Sequence, residues 1–280
     1  MNRLATPSRI ASLLAAALVV VNCGGGGGPS APTSSSPTTT PGSPTSPSLN
    51  VCGILAGAGF FPHGIVTGSE CSTANTPVVK LNLYNKDGIA GGCTGTVIAS
   101  RAVLTAAHCL SGDIVSVRIF LGTGDQVPST SFQRSPRYRA NDSSSLDVGV
   151  VLTAQDMART PVALLTSRDA RVGEQAVIAG WGSDEKGWGG NTLRAGVATI
   201  SAVGGVLLET VYSGTGSAVC SGDSGGPILL SEGGMWSIAG ITSATSIGGS
   251  CASGTSYYAN VRNAEIKTFI LDLVPSAGQR

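Results

Sequence analysis

Cys220-Ser221-Gly222-Asp223-Ser224-Gly225-Gly226-Pro227 is the stretch on which the reading of this chain turns. A serine stands between glycines, behind an aspartate, and a proline closes the turn. Glycine takes backbone angles that side chains resist and lets another group approach the main chain closely. The N–H groups of Gly222 and Ser224 can then aim together at an oxygen on which negative charge develops. A serine hydroxyl is a weak nucleophile unaided, so this reading requires a base and an orienting acid elsewhere.

Only two histidines are available as the base. His63 lies in a Pro62-His63-Gly64 turn and reads as an exposed loop residue. His108 sits in Val103-Leu104-Thr105-Ala106-Ala107-His108-Cys109, where a strand delivers the imidazole and the next cysteine offers a disulfide to pin it. By itself such a histidine is more often structural.

Around these segments the chain consists of short apolar runs separated by turns. Val78–Leu83 reads as a strand closed by Asn85-Lys86-Asp87-Gly88. Thr96–Ala99, Ala102–Thr105, Val115–Leu121, Val148–Leu152, Ala176–Ala179, Ile228–Leu230 and Trp236–Ile241 read likewise. With 40 glycines in the chain, this texture points to an all-β sandwich or barrel. The last segment differs. Ile266, Phe269, Ile270 and Leu273 share one helical face, Asn263 suits the N-cap, Glu265 suits the first turn, and Pro275 stops the run. It predicts a terminal helix that packs and carries no chemistry.

Thr105–Cys109 together with Gly222–Pro227 resembles the chymotrypsin/trypsin family of serine endopeptidases, over roughly Ile65 to the C-terminus. The resemblance implies two six-stranded antiparallel β-barrels with a C-terminal α-helix and a cleft between the barrels. It also implies hydrolysis of protein or peptide substrates through an acyl-enzyme. No cofactor is expected, and no metal, since the chain has no Cys-x-x-Cys and its two histidines, His63 and His108, are far apart. Ser224 is then the nucleophile, His108 the base, and the N–H groups of Gly222 and Ser224 the oxyanion hole. The family's chain order is His, Asp, Ser, so the acid lies between His108 and Ser224. Leu146-Asp147-Val148-Gly149-Val150-Val151 supplies it, because an aspartate entering an apolar run needs a partner when buried. The rival, Asp142, sits in Asn141-Asp142-Ser143-Ser144-Ser145 and reads as a solvated loop or Asx-turn.

Other positions follow from the same resemblance. Gly180-Trp181-Gly182 is similar to the turn that opens the second barrel. Ser243 matches a serine that bonds the triad aspartate and lines the cleft. Cys93–Cys109 and Cys220–Cys251 match two family disulfides, and Cys52 and Cys71 are left to each other by elimination. Ile65-Val66-Thr67-Gly68 is similar to the family's activated N-terminus, whose freed amine pairs with the aspartate before the nucleophile, here Asp223; Thr67 departs from the pattern. The bond cut would follow Gly64 rather than Arg or Lys. A Cys52–Cys71 bridge would span it and keep the propeptide tethered. The pocket floor falls at Ala218, which carries no charge for a basic side chain. The pocket walls fall at Thr245 and Ser256, whose side chains narrow it. The expectation is an elastase-like preference for a small or medium apolar residue before the scissile bond. Ala244 stands where the family has tryptophan, and Ser246–Ser250 reads as an insertion.

Composition bounds the rest. Net charge is +1 and 12% of residues are charged, about half the usual share of roughly 25%. Nothing here attracts nucleic acid. Residues 1–23 read as a signal segment: Arg3 and Arg9 precede an apolar run, Ile10–Val21, too short to span a bilayer of about 30 Å. The run ends at Cys23, as in a bacterial lipoprotein signal, although Asn22 departs from that pattern. The reading is a lipidated Cys23 anchoring the chain to a membrane, against simple secretion or an uncleaved anchor. Residues 24–48 contain only Gly, Pro, Ser, Thr and Ala, which reads as a disordered spacer. Residues 49–64 read as a propeptide and 65–280 as the protease domain. Seven cysteines, less Cys23, suit three disulfides in an oxidising compartment. The expected product is an exported monomeric zymogen, lipid-anchored to the cell envelope or secreted. A binding or adhesion protein on the same fold is the alternative from another class; such proteins usually lose a triad residue, and this chain keeps all three.

Overall fold

The computed structural model describes residues 65, 68–124, 126–184, 190–214, 216–246, 251 and 253–280. The signal segment with Cys23, the 24–48 tract, Cys52, His63, Gly64 and Thr67 lie outside them. A short strand β1 (Ser69–Glu70) precedes two barrels. The first is built from β2 (Val78–Asn85), β3 (Gly88–Ala99), β4 (Ala102–Thr105), β5 (Ser116–Phe120), β6 (Val127–Arg134) and β7 (Gly149–Thr153). The second is built from β8 (Gln175–Gly180), β9 (Arg194–Val203), β10 (Leu207–Tyr212), β11 (Pro227–Glu232), β12 (Met235–Thr245) and β13 (Gly254–Asn260).

The hydrogen-bonded order is β2-β3-β4-β7-β6-β5, closed by β5 on β2. In the second barrel it is β8-β9-β10-β13-β12-β11, closed by β11 on β8. Counted from its own first strand, each barrel runs first, second, third, sixth, fifth, fourth. All strand pairings in the two barrels are antiparallel, and among the described residues closure leaves no long barrel edge open to a foreign strand. β1 adds to the start of β9, with Ser69 opposite Ala195. The expected two-barrel fold with one C-terminal helix is the fold observed.

Local sequence explains many elements. β2 alternates buried apolar with partly exposed polar positions, Leu81 and Leu83 facing inward while Lys80 and Asn82 face out. β4 (AVLT) is buried along its whole length and reads as continuous apolar sequence. β6, β9, β10 and β13 were not legible as strands. β6 (VPSTSFQR) is mostly polar and, after the buried Val127, partly or fully exposed, and β9 (RAGVATISAV) is rich in small residues. Their partners, not their own patterns, hold them extended.

Leu81, Val97, Leu104, Ile119 and Val150 fill the first barrel, and Ile178, Ile200, Leu208, Ile228 and Tyr258 fill the second. Trp181, just past β8, is buried at their junction. Its ring meets Phe120 edge-on with centroids 5.6 Å apart, and its Nε1–H donates to the Val78 carbonyl at 3.1 Å. Helix α1 (Ala264–Leu273) starts where expected: the Asn263 side chain accepts from the N–H groups of Glu265 at 3.0 Å and Ile266 at 3.2 Å. Ile266 and Ile270 are buried, and the helix ends before Pro275. Among the described residues no helix is long and apolar enough to cross a membrane.

Candidate active site

Two neighbouring strands of the first barrel bring His108 and Asp147 together. β4 and β7 pair with Thr105 opposite Gly149. Because the strands are antiparallel, the chain leaving β4 and the chain entering β7 meet at one end of the barrel. His108 opens a 3-10 turn, His108–Leu110, in which Leu110 N–H donates to the Ala107 carbonyl at 3.0 Å. Cys109 in that turn is joined to Cys93 of β3, S–S 2.00 Å. The turn is thus fastened to the barrel beside the imidazole.

The Asp147 side chain collects three donors. His108 Nδ1 lies 2.7 Å from its Oδ2, the His108 main-chain N–H donates to Oδ1 at 2.9 Å, and Ser243 Oγ–H donates to Oδ2 at 2.6 Å. A carboxylate buried to 4% exposure is tolerated when it is hydrogen-bonded this fully. Nδ1 donates to the carboxylate, so Nε2 of the neutral ring is left as an acceptor. Asp142 is placed differently. It is exposed, and its Oδ1 accepts Ser144 N–H at 2.8 Å and Ser144 Oγ–H at 2.6 Å, an Asx-turn. These bonds hold its carboxyl below the usual range.

The Cys220–Pro227 loop of the second barrel docks onto this end of the first. Gly225 has φ +82°, and a Cβ there would lie 2.1 Å from Thr105 Oγ1 and 2.4 Å from the Thr94 carbonyl oxygen. Only glycine fits. Gly222 has φ +94°. Ser224 is half-buried between them, and the Thr94 N–H donates to its carbonyl at 2.8 Å. Cys220 is joined to Cys251. Cys71 is also disulfide-bonded, and its partner lies outside the described residues. Among the described residues one grouping has metal-ligand atom types, Cys93, His108 and Cys109, and its two sulfurs are spent on each other.

Asp223 is fully buried. Its Oδ1 accepts Gly182 N–H and its Oδ2 accepts Cys220 N–H, each at 2.8 Å. A Cβ on Gly180 or Gly182 would come within 2.2 or 2.5 Å of this side chain, which is why glycine flanks Trp181. Burial pushes the Asp223 carboxyl up to about 7, against the opposing pull of the two N–H bonds and of the Arg194 cation. Ile65 is fully buried in the second barrel's core cluster.

A cavity of about 850 Å³ extends from His108, Asp147 and Ser243 past Ala244 to Tyr138 and Tyr257. Of the expected pocket residues, Thr245 and Ser256 are direct cross-strand partners on β12 and β13, and Ala218 is buried. Residues 247–250, most of the expected insertion, lie outside the described residues. Two residues carried no signal in the sequence. Thr94 bonds to the 222–224 loop from the other barrel, and Arg194 lies near Asp223 while bridging toward Glu70 and Asp184 at 3.8 and 3.7 Å. Neither sits in a motif, because their partners are distant in sequence.

Comparisons with known proteins bear on the family and the fold. A family model described as Trypsin matches residues 65–270. The chain is 28% identical over 197 residues to "Trypsin, alkaline C" of Manduca sexta, covering 60% of this chain and 77% of that one. It is 29% identical over 197 residues to "Trypsin theta" of Drosophila erecta, covering 61% and 74%. Its fold matches a solved structure described as HL collagenase with a TM-score of 0.64 at 21% identity, over 75% of this chain and 98% of that one.

The Asp223 environment gives a pH signature. Its folded pKa, about 7, lies above the unfolded value of about 3.9. Between those values the folded chain binds the extra proton, so its stability falls as pH rises through that window and is flat on either side. Urea titrations of the chain with the Gly64–Ile65 bond intact should show a steeper loss from pH 4 to 7 than the same chain carrying Asp223→Asn. Equal slopes would contradict the assignment.

Proposed function

The chain belongs to the trypsin family, and from that premise we propose that it is a serine-type endopeptidase working through Ser224, His108 and Asp147. The Asp147 carboxylate, bonded at once by His108 Nδ1, His108 N–H and Ser243 Oγ, is the observation that carries the reading. With Nδ1 committed to the carboxylate, Nε2 is left to serve as the base. In the proposed reaction Ser224 Oγ attacks the scissile carbonyl and its proton passes to His108 Nε2. The Gly222 and Ser224 N–H groups receive the oxyanion, and the imidazolium then protonates the leaving amine. Water repeats the sequence to release the acyl group. Asp147 holds the ring and stabilises its charged form.

Primary specificity follows from what the pocket lacks. Ala218 brings no carboxylate to meet Lys or Arg, and the Thr245–Ser256 pair supports a pocket narrowed by side chains. The proposed preference is a small or medium apolar residue such as Ala, Val or Leu. Export is supported by the apolar leader and by the disulfides of the described domain, which persist in oxidising compartments. The proposed mature form is lipid-anchored through Cys23 or secreted, with Cys52–Cys71 tethering the propeptide.

Asp147→Asn should lower turnover by about 10⁴-fold while Asp142→Asn stays close to wild type. An organophosphonate should label Ser224 and fail on Ser224→Ala. Comparable rates from the two aspartate variants would overturn the assignment of the acid. In a peptide library, cleavage after Ala or Val should exceed cleavage after Arg or Phe, and the reverse order would sink the pocket reading. Sequencing the N-terminus of active enzyme should find Ile65 freed; full activity with the Gly64–Ile65 bond intact would refute activation by insertion onto Asp223.

A further inference from the structure

The loop that carries Ser224 exposes four consecutive carbonyls, those of residues 221 to 224, and each has a donor. Ser183 N–H donates to the Ser221 carbonyl and Gly226 N–H donates to the Asp223 carbonyl, both at 2.8 Å. The other two are held from the first barrel by one residue. Thr94 Oγ–H donates to the Gly222 carbonyl at 2.8 Å, and Thr94 N–H donates to the Ser224 carbonyl at 2.8 Å. The same Oγ accepts Trp181 N–H at 3.0 Å. The Thr94 carbonyl accepts Thr105 Oγ–H at 2.9 Å, three residues before His108. Thr94 and Thr105 are both fully buried.

This arrangement fixes direction. A trans peptide is planar, with its N–H opposed to the preceding C=O. The Gly222 N–H shares a peptide plane with the Ser221 carbonyl, and the Ser224 N–H shares one with the Asp223 carbonyl. With the Ser221 and Asp223 carbonyls held, the Gly222 and Ser224 N–H groups in the same planes point the opposite way, and among the described residues neither meets an acceptor. Thr94 holds the plane that follows each of them: its hydroxyl holds the Gly222 carbonyl, between the two, and its N–H holds the Ser224 carbonyl, just after them. Glycine at 222, 225 and 226 leaves this loop free to take other shapes, so the bonds that Thr94 makes to it from the other barrel help to hold one.

We propose that Thr94 is a positioning residue: its hydroxyl, reaching across the barrel junction, keeps the Gly222–Ser224 N–H pair in register with His108. This rests on the functional reading above, in which those N–H groups bind the oxyanion. The hydroxyl acts on the transition state more than on substrate binding, since the oxyanion exists only in the former.

The test compares Thr94→Ser, which keeps the hydroxyl, with Thr94→Val, which keeps the shape and removes it. The full chain, cleaved after Gly64, is assayed on a chromogenic peptide ending in Ala, with Ser224→Ala as the blank. Thr94→Val should lose about tenfold or more in kcat with KM little changed, a fraction of the loss on deleting an oxyanion donor outright. A peptide aldehyde, whose adduct places an oxygen in the hole, should bind that variant more weakly by a similar factor. The corresponding peptide amide should bind as before. Thr94→Ser should restore most of both. Should Thr94→Val not fold, Thr94→Ala, which leaves room for a water at the vacated position, carries the same comparison. An active wild type beside a Val or Ala variant with unchanged kcat, or with equal loss in the Ser variant, overturns the role of Thr94 alone. A wild type with no activity above the Ser224→Ala blank overturns the functional reading and this inference with it.

Discussion

The site depends on a contact that leaves no space for a side chain. At Gly225 the second barrel's loop presses its main chain onto Thr94 and Thr105 of the first. Everything that converges there, His108 from the end of β4, Asp147 from the start of β7 and Ser224 from the loop, is registered by that approach. A methyl group at Gly225 would displace the loop from the strand that delivers His108. The loop glycines are therefore packing residues as much as turn residues, and the barrels are coupled through main-chain atoms whose positions the strand ladders already determine.

Asp223 shows the complementary constraint, a charge-bearing group placed where water cannot reach. Its carboxylate is met by two main-chain N–H groups, and the glycines on either side of Trp181 exist in part to make room for it. Those bonds do not offset burial fully, which is why its carboxyl titrates near neutrality. A freed Ile65 amine would supply the missing cation. In the proposed activation, the buried acid would link the chain's processing state to the shape of the Ser224 loop.

Much of this was legible in particular residues. The terminal helix was readable from the spacing of Ile266, Phe269, Ile270 and Leu273, and Asn263 caps it, because helix periodicity and capping are local properties. β2, β4, β7 and β8 were readable because they are apolar or alternate. β6, β9, β10 and β13 were not, since their polar or small residues adopt extended form through neighbours far along the chain. Thr94 was silent for the same reason: its partners Gly222 and Trp181 lie 128 and 87 residues away.

By itself, the sequence determined which chemistry this chain can attempt. A serine on a glycine turn, a histidine beside a cysteine and an aspartate entering an apolar run are covalent and local facts, written in residue types and their order. The tertiary structure decided which of those groups meet. It put Asp147 rather than Asp142 against His108, matched Thr245 with Ser256, and set Thr94 beneath the Ser224 loop. Such choices depend on strand register and on the fit of two barrels, and both arise from packing summed over the whole domain rather than from any one stretch of chain.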